Sequence, residues 1–176
     1  MLKTIICFGL LLSATSFAFG EEPPADKPAN TEATKATYLI TGLHCPPCTR
    51  TVEAAVGGIK GVKSVKVDWR TKNAKVEFEE AIVPAQQLAD LIAATPHMMG
   101  GEMVYDGWLA LQVPDLKDEA ATKTVLETLR KVAGVKQVAA YPAQKSVGIQ
   151  FLRKGKATTK SLIDALEKAG FKASNF

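Results

Sequence analysis

Gly61-Val62-Lys63-Ser64-Val65 recurs 73 residues later as Gly134-Val135-Lys136-Gln137-Val138, and working outward from this match divides most of the chain into two corresponding halves. Lys75-Val76-Glu77-Phe78 falls on Gly148-Ile149-Gln150-Phe151 at the same offset, and Leu88-Ala89-Asp90-Leu91-Ile92 meets Leu162-Ile163-Asp164-Ala165-Leu166 one residue later. A repeat of this kind lets every element be assigned twice. The pattern predicts strand, helix, strand, strand, helix, strand in each half. In the first half the expected strands are 37–41, 64–68, 74–79 and 102–106, with helices at 47–56 and 84–94. In the second they are 108–113, 137–141, 147–152 and 171–174, with helices at 120–132 and 159–169. Period-two alternation, as in Val65, Val67 and then Val76, Phe78, predicts sheets buried on one face under two helices. The expected fold is an α/β (α+β sandwich) of two tandem ferredoxin-like βαββαβ units, with antiparallel sheets and helices on one face, divided into 37–106 and 107–176.

Ahead of these units, residues 1–20 have the features of an export signal. Lys3 supplies the positive charge, Ile5 to Leu12 the apolar core, and Ala18-Phe19-Gly20 a small-x-small cleavage site. The apolar run is too short to span a bilayer, and Cys7 lies too early in it for a lipid-attachment cysteine, so no lipid anchor is expected. Residues 21–36 are rich in Pro, Glu, Ala, Thr and Lys, without apolar periodicity, and are expected to be a flexible linker. Cleavage near Gly20 implies a periplasmic or secreted protein whose only cysteines are Cys45 and Cys48. The formal net charge of +4, one less without Lys3, is mild and interspersed. With no aromatic-basic stripe, no nucleic-acid partner is expected.

Gly42-Leu43-His44-Cys45-Pro46-Pro47-Cys48 carries the chemistry. It places two thiols where the first strand hands over to a helix, so Cys48 falls in the first helical turn, where the dipole and free N–H groups favour thiolate. Such a pair can hold a soft metal ion, cycle to a disulfide, or form an idle bridge. A bridge closing so short a loop stabilises little. At the offset of 73, Cys45 maps to Asp118 and Cys48 to Ala121, and residues 107–176 contain no Cys, His or Met, so the second half is expected to lack a metal site. Tracing strand direction brings the 95–101 connection and the turn after Asp68 to the same edge as the thiols. His44, His97, Met98, Met99 and Met103 are therefore candidate auxiliary ligands, and Arg70 and Lys72 candidate charge compensators. Solvated or packing roles are the alternative for each.

The Gly-Leu-His-Cys-Pro-Pro-Cys segment, the Val-Lys-Ser-Val-Lys-Val strand and the Leu-Ile-Asp-Ala-Leu-Glu-Lys-Ala-Gly-Phe ending of the second half resemble the heavy-metal-associated domain family. That family includes copper chaperones, domains of copper-pumping ATPases and the periplasmic mercury-binding protein. The resemblance implies metal-binding roles for Cys45 and Cys48 and a core position for Leu43, where the family has methionine. It also implies transfer without catalysis, Cu(I) as cargo with Hg(II) or Zn(II) as alternatives, and a metal-transporting membrane protein or another metal carrier as partner. The family connection after the second helix holds one Lys, Tyr or Phe near the metal; here it reads His-Met-Met-Gly-Gly. Two rival readings remain. One is an exported thiol-disulfide oxidoreductase using the Cys-Pro-Pro-Cys pair, with Thr95-Pro96 imitating a cis-proline. The other is an interaction module in which the metal is incidental.

Overall fold

Tyr38 and Ile40, Val76 and Phe78, and Leu109 and Leu111 are buried at every second position of their strands, which fixes one face of a sheet as the core face. The computed structural model describes residues 33–176, so the expected export signal and all but the end of the expected linker lie outside the described residues. The elements are β1 (Thr34–Thr41), α1 (Pro46–Gly57), β2 (Val62–Asp68), β3 (Asn73–Phe78), α2 (Ala85–Ala94), β4 (Asp106–Gln112), α3 (Glu119–Arg130), β5 (Val135–Tyr141), β6 (Ser146–Phe151), α4 (Thr159–Lys168) and β7 (Ser174–Asn175). They form one sheet in the order β2-β3-β1-β4-β6-β5, with β7 added to the end of β4.

Both expected ferredoxin-like units are present, and their registers correspond. Thr37 pairs with Lys75 and Tyr38 with Ala74; shifted by 73 residues, Ala110 pairs with Gly148 and Leu111 with Val147. Each unit carries the same irregularity where its second strand begins, at Val62/Ser64 and at Val135/Gln137. All strand pairs are antiparallel.

The strand count differs from expectation. No strand forms over 102–106, and the segment is turn and coil as far as Tyr105. Gly100 and Gly101, both at positive φ, end any extended run, and Glu102, Met103 and Val104 are exposed in succession, without the alternation a strand needs. Strand β4 does the work of two. It pairs with β1 through Asp106–Ala110 as the last strand of the first unit, and with β6 through Leu109–Gln112 as the first strand of the second. The expected division at 106/107 thus falls at the first residue of a shared strand. Strand β1 also starts earlier than expected, at Thr34, because Ala36 faces the core and β3 extends far enough to pair Phe78 with Thr34.

Side chains of the first unit also clamp the loop before α4. Gln86, fully buried on α2, accepts from the Ala157 N–H at 2.9 Å through Oε1 and donates from Nε2 to the Leu152 carbonyl. A Cβ on Gly134 would stand 2.6 Å from Gln86 Oε1, and one on Gly155 would overlap the same amide, so both glycines leave the room it occupies. Glu80 accepts from the Thr159 N–H at 2.5 Å and the Thr159 hydroxyl at 2.8 Å, setting a carboxylate at the positive end of α4. Asp90 accepts from the Lys154 N–H at 2.8 Å. Replacing Gln86 with alanine strands the buried Ala157 N–H and removes the partner of the part-buried Leu152 carbonyl, at a cost of roughly 1–3 kcal/mol. Urea denaturation of Gln86→Ala should show one transition at lower denaturant, whereas separate transitions for the two halves would contradict a joint unit.

Candidate metal centre

The loop between β1 and α1 begins at Gly42, whose φ of +84° suits glycine and whose missing Cβ leaves space for the Val104 carbonyl. Leu43 is buried and anchors the loop in the core, as expected, while His44 points to solvent. Cys45 is the N-cap of α1, in extended conformation, and Pro46 and Pro47 occupy the first helical positions. Their fixed φ suits a helix start. They also modify the expected electrostatics, because two of the N–H groups that would have aimed at a thiolate do not exist in proline.

Within this frame the sulfurs of Cys45 and Cys48 are 2.8 Å apart, and neither is in a disulfide. Cys48 is fully buried and Cys45 half-buried. Burial pushes the Cys48 thiol up. The Cys45 thiol, the Tyr105 hydroxyl and the His44 and Cys45 N–H groups pull it further down, to about 7. Cys45 is raised, chiefly because its own proton is held by the Cys48 sulfur. The pair therefore ionises first at its buried member, with Cys45 retaining the shared proton. At the equivalent place in the second unit, Asp118 is the N-cap of α3 and accepts from the Ala121 N–H at 2.7 Å. There a capping carboxylate stands where the first unit has a thiol.

Tyr105, which sequence reasoning placed in a strand, lies against the thiols. It is fully buried, and its hydroxyl lacks a partner of good hydrogen-bond geometry while facing the Cys48 sulfur and the Met98 N–H. Burial, and then the Cys48 contact, raises it to about 12. A buried O–H aimed at a thiol is a donor prepared for a thiolate or a metal-bound sulfur. The available signal was a lone tyrosine between the methionine loop and β4.

His97 packs on the Tyr105 ring, with centroids 4.5 Å apart, and its Nε2 lies 2.9 Å from the Gly42 carbonyl. Its Nδ1 accepts from the Met99 N–H at 3.2 Å, so Nε2 is the protonated nitrogen and donates to Gly42. With both nitrogens engaged, His97 braces the loop. His44 stands edge-on to it at 5.8 Å, on the exposed side. Met98, Met99 and Met103 are exposed on the same loop. Arg70 lies over the Trp69 ring, and Lys72, at φ +54°, accepts from the Ile40 N–H through its carbonyl; among the described residues, neither is a group that shifts the thiols.

Residues 37–97 match the heavy-metal-associated domain. Over 58 residues the chain is 40% identical to the copper chaperone CopZ of Enterococcus hirae, covering 33% of this chain and 84% of that protein. The chain belongs to the heavy-metal-associated domain family. Over 168 residues, 93% of its length, it is 27% identical to the copper-transporting ATPase HMA4 of Oryza sativa subsp. japonica, of which it spans 17%. Among solved structures, the water-soluble region of the P-type ATPase CopA from Bacillus subtilis is similar with a TM-score of 0.41 and 18% identity, over 82% of this chain and 92% of that one. The two thiols lie within the segment that matches this domain, with Tyr105 against Cys48.

Ultraviolet thiolate absorbance of the reduced protein should rise with a first midpoint near pH 7, from Cys48. Tyr105→Phe removes a donor to the anion and should move that midpoint up by about one unit. A Cys48 pKa held below the unfolded thiol's value of about 8.5 adds stability as pH rises from 7 to about 8.5, and that contribution disappears as pH falls through 7. A midpoint unmoved in Tyr105→Phe would show that the hydroxyl does not act on the thiolate.

Proposed function

We propose that this protein is an exported carrier that binds Cu(I) through Cys45 and Cys48 and passes it to a metal-transporting membrane protein or another carrier. The observation that carries this is the asymmetric thiol pair, with a buried, easily ionised Cys48 beside a half-buried Cys45 at a helix start. Thiolates select soft ions such as Cu(I). Among the described residues no group of three or more His, Cys, Asp or Glu side chains could hold a metal, which favours an ion content with few ligands over four-coordinate Zn(II). The relatives named for copper support Cu(I) over Hg(II), which the same pair would also take.

The geometry supports a division of labour between the sulfurs. Two sulfurs bound to one ion at about 2.3 Å each, at a tetrahedral or wider angle, stand about 3.8 Å or more apart. The observed 2.8 Å must therefore open on loading, and Cys45, the more exposed member, has the room to swing. Cys48 holds the ion beneath the Tyr105 hydroxyl. A partner's sulfur attacks from the Cys45 side, its bond to the ion forming before the Cys45 bond breaks, so the ion is never released to water. The second unit, with Asp118 and Ala121 in place of the cysteines, is a degenerate copy that holds β4 and offers surface to partners.

The oxidoreductase reading loses support. Attack on an external disulfide needs an accessible thiolate, whereas here the more accessible thiol is raised and the buried one lowered. The Thr95–Pro96 bond is trans. Anaerobic titration of the reduced protein with Cu(I) against a competing chelator should give tight, stoichiometric binding, and Cys45→Ser with Cys48→Ser should weaken it by orders of magnitude. Hg(II) binding without tight Cu(I) binding would reassign the cargo, and undiminished Cu(I) affinity in the double variant would end the proposal.

A further inference from the structure

The segment from His97 to Tyr105 stands on the thiol loop at both of its ends. At one end His97 donates to the Gly42 carbonyl at 2.9 Å, and a turn closes from the Gly100 N–H to the His97 carbonyl at 3.0 Å. At the other end Tyr105 is buried against Cys48, and the Val104 carbonyl packs onto the Gly42 Cα position. Between these feet lies an arch carrying three of the protein's four methionines. Met98, Met99 and Met103 are 56%, 65% and 45% exposed. Methionine ordinarily fills gaps in cores, yet none of these three does so. At the crown of the arch, Gly100 and Gly101 have φ of +65° and +70° and nothing within 4 Å of where a Cβ would be. The crown of the arch is therefore open to solvent rather than packed against a neighbour.

We propose that Met98, Met99 and Met103 form a thioether site that captures Cu(I) and delivers it to the cysteine pair. This rests on reading that pair as a Cu(I) site. Thioethers are neutral soft donors, so they bind Cu(I) in preference to hard cations. They have no proton to lose and do not form disulfides, so the arch works at pH values and in oxidising surroundings where a thiol pair is compromised. The imidazole of His97 does not compete, since both its nitrogens are already bonded. Delivery runs from neutral sulfur to charged sulfur. Copper–thioether bonds break as copper–thiolate bonds form, Cys45 releases its proton to water, and copper remains Cu(I) throughout. Both feet of the arch rest on the Gly42–Cys48 loop, so the captured ion is held beside its destination at high effective concentration.

The test uses the full chain, Ag(I) as a redox-inert probe and Cu(I) itself, with methionine methyl groups labelled for NMR. In Cys45→Ser/Cys48→Ser, which removes the dithiolate, Ag(I) should shift the three arch methyl signals together, saturating at a single ion. Adding Met98→Leu, Met99→Leu and Met103→Leu, which keeps apolar bulk at exposed positions, should abolish binding. With the cysteines intact, the triple leucine variant should reach the same final Cu(I) affinity but load from a dilute supply roughly tenfold more slowly or worse. Unshifted methyl signals, shifts that require the cysteines, or an unchanged loading rate would overturn the thioether site while leaving the dithiolate proposal standing. Tight Cu(I) binding that survives in the double serine variant would instead sink the dithiolate reading, so the two failures are told apart.

Discussion

Strand β4 is hydrogen-bonded along both of its edges, and the position of the thiols' buried neighbour depends on that. One edge is occupied by β1 through Asp106–Ala110 and by β7 at its last residues, the other by β6. Tyr105 immediately precedes this strand, so its ring is delivered to Cys48 by backbone that β1 holds from Asp106 onward and that β6 anchors further along, from Leu109. A four-stranded unit alone would leave β4 as an edge strand, free to fray or pair elsewhere. The second unit removes that freedom, and Gln86, Glu80 and Asp90 tie its loop to the first unit. The half without cysteines thereby bears on the chemistry of the half that has them.

The same economy shapes the loop around the sulfurs. Pro46 and Pro47 start the helix without donating to anything, which leaves the Cys45 thiol, the Tyr105 hydroxyl and the His44 and Cys45 amides as the groups that lower Cys48. Burial opposes them and loses. The result is a pair that differs in exposure, acidity and freedom of movement. A carrier needs such differences, because one sulfur must retain the ion while the other yields its place.

Much of this was legible from residue spacing. The recurrence of Gly-Val-Lys-x-Val located both units, and the offset of 73 carries over to the strand registers themselves. Leu43 is in the core, as the family resemblance implied. The shared strand was not legible, because local alternation shows that a segment is extended without showing that both of its edges are used. An eighth strand was therefore expected at 102–106, where exposed Glu102, Met103 and Val104 instead follow Gly100 and Gly101 in an arch. Tyr105 was placed in that strand, and the bracing contacts of His97 were not foreseen, for a related reason. Their partners, Cys48 and Gly42, lie more than fifty residues away in sequence, and the bonds that fix the His97 tautomer depend on the closed loop.

The central claim is that sulfur alone, led by Cys48, holds the ion, with the nearby imidazoles serving as scaffold. X-ray absorption at the copper edge of anaerobically loaded protein examines this directly. The account requires a first shell made only of sulfur. A shell containing imidazole nitrogen would contradict it, since His97 would then have given up the two bonds that brace the loop.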